Sequence, residues 1–215
     1  MLSEQRNEKL YICTKVCGAK CCRTILTPPL TVFDIARICK YLKLKPMEFL
    51  DRYCIVKTPL EDAEEILRQN PNDIEGLLIK EMWRGLEDVV NNVYAVFLKH
   101  VDGVCIFLDR TSNMCRINDV KPMCCKVMPL PHIVLYRVVR KYLGSGGIVV
   151  EECPLMRRLD LLEEERKLYP LYRQEIKVHY EILACYYADF VAVHNRLPTR
   201  EEFKQLIARI CEDMM

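Results

Sequence analysis

The chain has 215 residues, of which 51% are hydrophobic and 29% charged, so it can bury a core without the help of cysteine cross-links. Its net charge is +2, and the 32 basic and 30 acidic residues are mixed along the sequence, which excludes the basic stripe of a nucleic-acid-binding protein. The longest apolar stretches are too short or too interrupted to span a bilayer. We therefore expect no nucleic-acid partner and no membrane partner.

The first half of the chain predicts three helices. Thr31 with Asp34, and Thr58 with Glu61, have the spacing of a capping box, in which a side chain at each end satisfies a backbone N–H at the start of a helix. Pro59 stands at the first helical position after Thr58, where proline is tolerated. A third helix is predicted over residues 73–91.

The middle of the chain predicts β structure. Residues 94–109 contain two β-rich runs on either side of Asp102 and Gly103, a dipeptide that is typical of hairpin turns. Residues 132–153 suggest two more short strands, joined at the glycine-rich residues 144–147. We expect a small antiparallel element in this region.

The C-terminal part is predicted to be helical. A kink or break is expected at Pro170, and the last helix opens with a capping box of Thr199 and Glu202. The fold class is thus α+β and predominantly helical, with a small antiparallel β element, cysteine-rich metal-binding loops and a helical C-terminal part. We divide the chain into a cysteine-cluster domain, residues 1–154, and a helical extension packed on it, residues 155–215.

The role of the thirteen cysteines depends on whether the cellular compartment keeps their thiols reduced or oxidises them to disulfides. The polar residues 1–11 lack the apolar region of a signal peptide, so we expect a cytoplasmic protein. Cytosolic thiols are kept reduced and an odd number of cysteines fits a disulfide framework poorly, although the disulfide-rich cytosol of hyperthermophiles leaves that alternative open. Metal binding is the leading explanation.

Eight of the cysteines stand in short loops that can bring thiolates together around a metal. Four lie within ten positions around Gly18, three flank the predicted hairpin and the proline-containing turn after it, and one precedes Pro154. Eight thiolates suffice for two four-cysteine sites, or for one cluster with spare thiols. The predicted metal ligands are Cys13, Cys17, Cys21, Cys22, Cys105, Cys115, Cys125 and Cys153.

Two of the predicted ligands, Cys21 and Cys22, are neighbours in sequence. Because adjacent side chains diverge, the two do not easily bind one tetrahedral ion, and they fit different centres or different atoms of a polynuclear one. The same caution applies to Cys124 beside Cys125.

The remaining cysteines are left out of the predicted site. Cys39 and Cys211 lie on apolar helix faces and Cys185 lies in an apolar stretch, so we interpret these three as buried core thiols. Cys54 and Cys124 are assigned no role.

Two cations directly follow cysteine pairs, Arg23 after Cys22 and Lys126 after Cys125. A positive charge beside thiolates offsets their charge and favours the deprotonated form. Arg23 and Lys126 are therefore predicted to be cofactor-binding residues, and ordinary solvated surface charge is the alternative.

Two segments resemble the CxxCxxCC zinc- or iron-chelating domain family, the YkgJ-like cysteine-cluster proteins. The first is CTKVCGAKCCR followed by LTVFDIARICKYL, and the second is CIFLDRTSNMCRINDVKPMCCKVMP, in which Cys125 is the matched cysteine and Cys124 an extra one. The chain departs from the family in its C-x3-C-x3-CC spacing and in Lys121 and Lys126, which stand where arginines are usual. The resemblance implies metal chelation and the frequent label of an iron–sulfur oxidoreductase.

Three functions compete at this point. The first is an iron–sulfur protein, with a 4Fe–4S cluster as the expected cofactor and an unidentified redox or protein partner. The second is a zinc-binding structural or interaction module. The third is a cluster-supported, methyltransferase-like enzyme, since flagellin lysine N-methylases carry such a cysteine cluster, but the GSGG at residues 144–147 lacks the context of a cofactor loop. The sequence indicates no catalytic residue.

Overall fold

Helices dominate the structure, a computed structural model that describes residues 2–23, 29–69, 71, 77, 80, 93–130 and 153–215. The predicted α+β, mostly helical class is confirmed. Three short single-turn helices, Lys20–Cys22, Pro154–Arg157 and Leu159–Leu162, are of the 3-10 type, and Ile12–Val16 is a π-helical turn. The α-helices are α1 (Leu2–Tyr11), α2 (Val32–Leu42), α3 (Pro46–Tyr53), α4 (Pro59–Gln69), α5 (Met123–Lys126), α6 (Glu163–His194) and α7 (Arg200–Asp213). The strands are β1 (Cys54–Lys57), β2 (Ala95–Leu98), β3 (His100–Val101) and β4 (Val104–Cys105).

The predicted capping boxes are all present. At the start of α2, the Thr31 hydroxyl accepts a hydrogen bond from the Asp34 N–H, and the Asp34 carboxylate accepts one from the Thr31 N–H. The same reciprocal pairs begin α4 and α7. These helix starts depend on residues three positions apart, which is why the sequence predicts them.

The β structure forms two separate antiparallel pairs. β3 and β4 make the predicted hairpin, in which Asp102 and Gly103 take positive φ angles of 52° and 72°, as a tight hairpin turn requires. β2 pairs with β1, with Cys54 opposite Leu98. The sequence gives no signal for β1, because four residues are too few to show an alternating pattern. Of the helix predicted over residues 73–91, the structure describes only residues 77 and 80, both helical, and the strands predicted over residues 132–153 lie outside the described residues except for Cys153.

Helix α6 runs through Pro170, so the chain does not break there, and the kink that was the alternative stays a prediction. Proline removes one backbone hydrogen bond and costs a helix about 3 kcal/mol. Contacts of α6 with α2 and α5 stabilise the helix beyond this position. Among the described helices, none combines the length and hydrophobicity that crossing a bilayer requires.

Two apolar clusters support the cysteine-rich loops. The larger is built from α2, α3, both strands of the β1–β2 pair and α7, and it contains the fully buried Cys39 and Cys211, as predicted. The smaller is formed by Leu130, Leu155, Leu161 and Leu162. Cys185 is exposed, so its predicted core position is wrong: α6 turns Leu183 inward and leaves Cys185 on its outer face. The division at residue 154 stays a prediction.

Candidate metal centre

The eight predicted ligands lie around one cavity of about 170 Å³, although they come from three distant parts of the sequence. The sequence predicts that these cysteines converge, and the structure brings them together. The cavity is lined by Cys13, Cys17, Cys21, Cys22, Cys105, Cys115, Cys125 and Cys153.

The first cysteine loop is shaped by its backbone. The π-helical turn is closed by a hydrogen bond from the Cys17 N–H to the Ile12 carbonyl at 2.7 Å. The next two residues, Gly18 and Ala19, both have positive φ angles, 65° and 54°. Glycine adopts this conformation without strain, so Gly18 lets the chain reverse. The reversal places the thiols before and after it on the same cavity.

The second group of cysteines is held by the hairpin and the loop after it. Cys105 ends β4, and an isolated antiparallel bridge pairs Leu108 with Cys115. The Asp109 carboxylate accepts hydrogen bonds from two N–H groups of the intervening turn. These local bonds bring Cys105 and Cys115 to the same wall of the cavity. Helix α5 contributes Cys125, and a hydrogen bond from the Met123 N–H to the Asp34 carboxylate anchors its first turn.

Arg23 connects the two cysteine loops. Its Nε donates to the Gly18 carbonyl at 3.0 Å and its Nη2 donates to Asn113 Oδ1 at 2.5 Å. Asn113 in turn donates from Nδ2 to the Thr14 carbonyl at 3.0 Å. The guanidinium predicted to bind a cofactor thus holds residues 13–23 against residues 105–115. Its cofactor contact stays a prediction.

The thiols are crowded enough to change one another's acidity. Cys17 shares a hydrogen bond with Cys153, which lowers the pKa of Cys17 and raises that of Cys153. The protein packed around its sulfur and the negative charges of Cys17, Cys13 and Cys125 together raise the pKa of Cys21 to about 11, although the residue as a whole is exposed. Without a metal, most of these thiols therefore stay protonated, because several thiolates so close together repel one another. A bound cation would offset that repulsion and favour the thiolate form.

A second set of neighbours surrounds Cys22. Burial raises its pKa most, followed by the negative charges of Cys125, Cys105 and Cys115. Burial and the negative charges of Cys125 and Cys115 together raise the pKa of Cys105 to about 11. Cys124, beside Cys125, is buried and its Sγ lies 3.9 Å from the Sγ of Cys125.

Three lysines face these thiols. Lys126, predicted from the sequence, lines the cavity, and Lys9 and Lys121 line it as well. Lys121 lowers the pKa of Cys13, Cys115 and Cys125, and thus opposes the effect of burial. Lys121 could have been predicted from the sequence, because it occupies the family pattern's basic position before a proline. No sequence pattern indicates Lys9.

Lys9 is fixed by a partner on a distant helix. It forms an ion pair with Glu165 of α6, whose buried carboxylate also lines the cavity. No sequence pattern relates two residues so far apart, so this pair is found only in the structure. Within the described ranges, no histidine lines the cavity, and His132 lies outside them.

The size of the cavity limits what it can hold. One water-sized sphere needs about 10–15 Å³ on the same scale, so about 170 Å³ is far more than one ion occupies. In the part of the chain that the structure describes, no three cysteine, histidine or carboxylate side chains lie close enough to share one metal ion. Thiolates bind both iron–sulfur clusters and structural zinc. Their spread around this cavity fits a polynuclear group, or more than one centre, better than a single ion.

Comparison with known proteins agrees with this chemistry. The model of a family described as "CxxCxxCC: Putative zinc- or iron-chelating domain" matches residues 12–141, more than half of the chain. The match includes every cavity cysteine except Cys153. Comparison with the curated proteins and with the solved structures gives no match. The chain belongs to the CxxCxxCC family of zinc- or iron-chelating domains, and this membership supports metal binding.

Proposed function

We propose that the protein is an iron–sulfur protein that transfers electrons, with 4Fe–4S clusters as its cofactor and a redox protein as its partner. The observation that carries the proposal is the arrangement of eight cysteine thiols around one cavity. When bound, such a cluster supplies one-electron redox chemistry. The family description supports metal chelation and names both zinc and iron, so the choice of iron rests on the geometry.

The spacing of the thiols supports iron–sulfur ligation over structural zinc. A structural zinc ion draws four ligands to about 2.0–2.3 Å from a single point. In a four-iron cluster each cysteine binds a different iron, so its thiolates stand further apart. The described thiols surround a cavity that exceeds the volume of one ion, and no three of them are close enough to share one.

The lysines give this site a means of holding a negatively charged cofactor. Thiolates are the binding form of cysteine, whereas burial favours the protonated thiol at Cys13 and Cys115. Lys121 opposes burial at both positions. The net charge around a cluster also sets its reduction potential, so Lys121 and Lys126 would raise the potential by favouring the added electron.

One edge of the site is accessible to a partner. Cys21 is exposed, whereas the other seven predicted ligands are buried or half-buried. The apolar side chains of Val16 and Met114 are also exposed, and Met114 lines the same cavity. Electron transfer becomes slow with distance, so we expect the redox partner to approach at Cys21.

Metal and sulfide analysis of protein purified without oxygen tests the proposal. We expect iron and acid-labile sulfide in equal amounts, with a visible absorption that bleaches when dithionite reduces the protein. A Cys39→Ala variant is the matched control, because Cys39 is buried in the larger apolar cluster and does not line the cavity. This variant should keep the full iron content. Zinc without sulfide would overturn the proposal in favour of a structural or interaction module.

A further inference from the structure

We infer that the eight thiols form two separate four-thiolate centres rather than one, and that the adjacent residues Cys21 and Cys22 belong to different centres. The inference rests on the proposed metal-binding function and adds the number of centres and the ligands of each. The first centre comprises Cys13, Cys17, Cys21 and Cys153, and the second comprises Cys22, Cys105, Cys115 and Cys125.

Packing separates five of the eight cysteines into these two sets. Cys13 and Cys153 pack against the smaller apolar cluster, which contains Leu155 and Leu162. The π-helical turn that carries Cys13 contacts the 3-10 turn that follows Cys153. Cys17 closes the same π-helical turn, because its N–H donates to the Ile12 carbonyl at 2.7 Å. This wall of the cavity therefore joins the first cysteine loop to the start of the C-terminal part.

Three cysteines of the second set lie in or against the larger apolar cluster, which is the main core. Cys105 is part of the main core, and Cys22 and Cys115 pack against that core. The antiparallel bridge at Cys115 and the hairpin that ends at Cys105 hold these two residues on one element. Cys125 lies on α5, and the hydrogen bond from the Met123 N–H to Asp34 ties this helix to α2 in the same apolar cluster. The hairpin loop, α5 and the end of the first loop thus carry the second set of four thiols.

The backbone conformation of Lys20–Cys22 explains how the adjacent residues Cys21 and Cys22 can bind different centres. This segment is a 3-10 turn, which has three residues per turn, so successive side chains point about 120° apart. Cys22 packs against the larger apolar cluster together with Cys105 and Cys115, whereas the adjacent Cys21 is exposed and lies outside that cluster. One turn therefore supplies a ligand to each centre and places the two centres side by side.

Each centre has the ligand number that its metal requires. A 4Fe–4S cluster takes four cysteines, and so does a Cys₄ zinc site. A single centre would leave four of the eight cavity thiols without a metal. Two centres use all eight and leave out only the cysteines that the structure places elsewhere, such as Cys39 and Cys211 in the core.

The stoichiometry of the untreated full-length chain tests the number of centres without any substitution. Two clusters give eight irons and eight sulfides per chain by the four-per-cluster composition. Two zinc ions per chain would support the two centres while overturning the iron–sulfur proposal. Four irons and four sulfides per chain would overturn the two centres while leaving the iron–sulfur proposal standing.

Paired substitutions test which ligands belong together. We expect Cys153→Ser and Cys115→Ser each to lose half of the bound metal, and Cys153→Ser combined with Cys17→Ser to lose no more than half. Combining Cys153→Ser with Cys115→Ser should remove all of it. Circular dichroism of each variant identifies a general loss of folding, and Cys39→Ala is the control for cysteine removal as such. Complete metal loss from a folded single variant, or no further loss when the two sets are combined, would overturn the division.

Discussion

The buried carboxylate of Asp34 accepts a hydrogen bond from the backbone N–H of Met123 at 2.7 Å. Asp34 belongs to the first turn of α2, and Met123 lies two residues before Cys125 in α5. The same carboxylate completes the capping box with Thr31 and accepts a bond from Arg37. One side chain therefore both starts a helix and sets the position of a predicted metal ligand.

Replacing Asp34 with asparagine should disturb both roles. Asparagine has one carbonyl oxygen and an NH₂ group that cannot accept, so the buried donors of Thr31 and Met123 cannot both keep their acceptor. Hydrogen bonds to a charged group contribute about 1.5–3 kcal/mol, and we expect a loss of this size in the free energy of unfolding by urea. Metal content should fall as well, because α5 loses its anchor. Glu175→Gln, which removes the charge and one of the two acceptor oxygens of the other partner of Arg37, is the control, and an equal metal loss in that variant would contradict the role of Asp34.

Variants of Arg23 test whether metal retention depends on its hydrogen bonds or only on its positive charge. Arg23→Lys keeps the positive charge but cannot bond Gly18 and Asn113 together, because lysine lacks the planar fork of donors. We expect faster removal of metal by a chelator in this variant, with a loss of stability of no more than about 1 kcal/mol because the bonds are exposed. Asn113→Ala should give the same faster removal, and the double variant should add little to either. Metal removal at the unchanged rate in Arg23→Lys would show that charge alone matters there.

Lys121 should lower the pH at which the protein loses its metal. Its charge lowers the pKa of the Cys13, Cys115 and Cys125 thiols, so its removal raises those values and lets protons compete with metal at a higher pH. Lys121→Met should therefore release half of its metal at a higher pH than the natural chain, whereas Lys121→Arg should not. Lys15→Met, at an exposed position on the same first loop, is the matched control. The same midpoint pH in Lys121→Met and the natural chain would exclude the electrostatic role.

His179 makes the stability of the fold depend on pH. Burial lowers its pKa to about 4, an effect that the nearby Asp34 only partly opposes, and its Nδ1 accepts a hydrogen bond from the Val32 N–H. Because the folded value lies below the unfolded value of about 6.5, the unfolded chain takes up the proton first, and stability falls as the pH drops. Between about pH 7 and about pH 5 this linkage amounts to about 2 kcal/mol.

A His179→Gln variant isolates that contribution. Urea unfolding at the two pH values should show a decrease in stability for the natural chain that is about 2 kcal/mol larger than the decrease for the variant. Other acid-sensitive groups affect both proteins equally and cancel in this difference. Parallel decreases in the two proteins would mean that His179 is protonated in the folded state or accessible to water.

The sequence by itself determined the features that depend on near neighbours. The three capping boxes, the Asp102–Gly103 hairpin and the family pattern of cysteines each involve residues a few positions apart, and the structure confirms the helix starts and the turn. The metal-binding family follows from the same local spacing. Such patterns persist whatever the rest of the chain does, because the interactions that fix them are local.

Tertiary structure decided the rest. The β1–β2 pairing, the course of α6 through Pro170, the outward face of Cys185 and the Lys9–Glu165 pair all depend on which surfaces meet across long stretches of sequence. The arrangement of the thiols is of the same kind: spacing identified Cys21 and Cys22 as divergent neighbours, but only the packed chain shows that Cys22 and Cys115 lie against one apolar cluster and Cys13 and Cys153 against another. The physical reason is that burial and distance between remote residues are properties of the packed chain, and no local pattern encodes them.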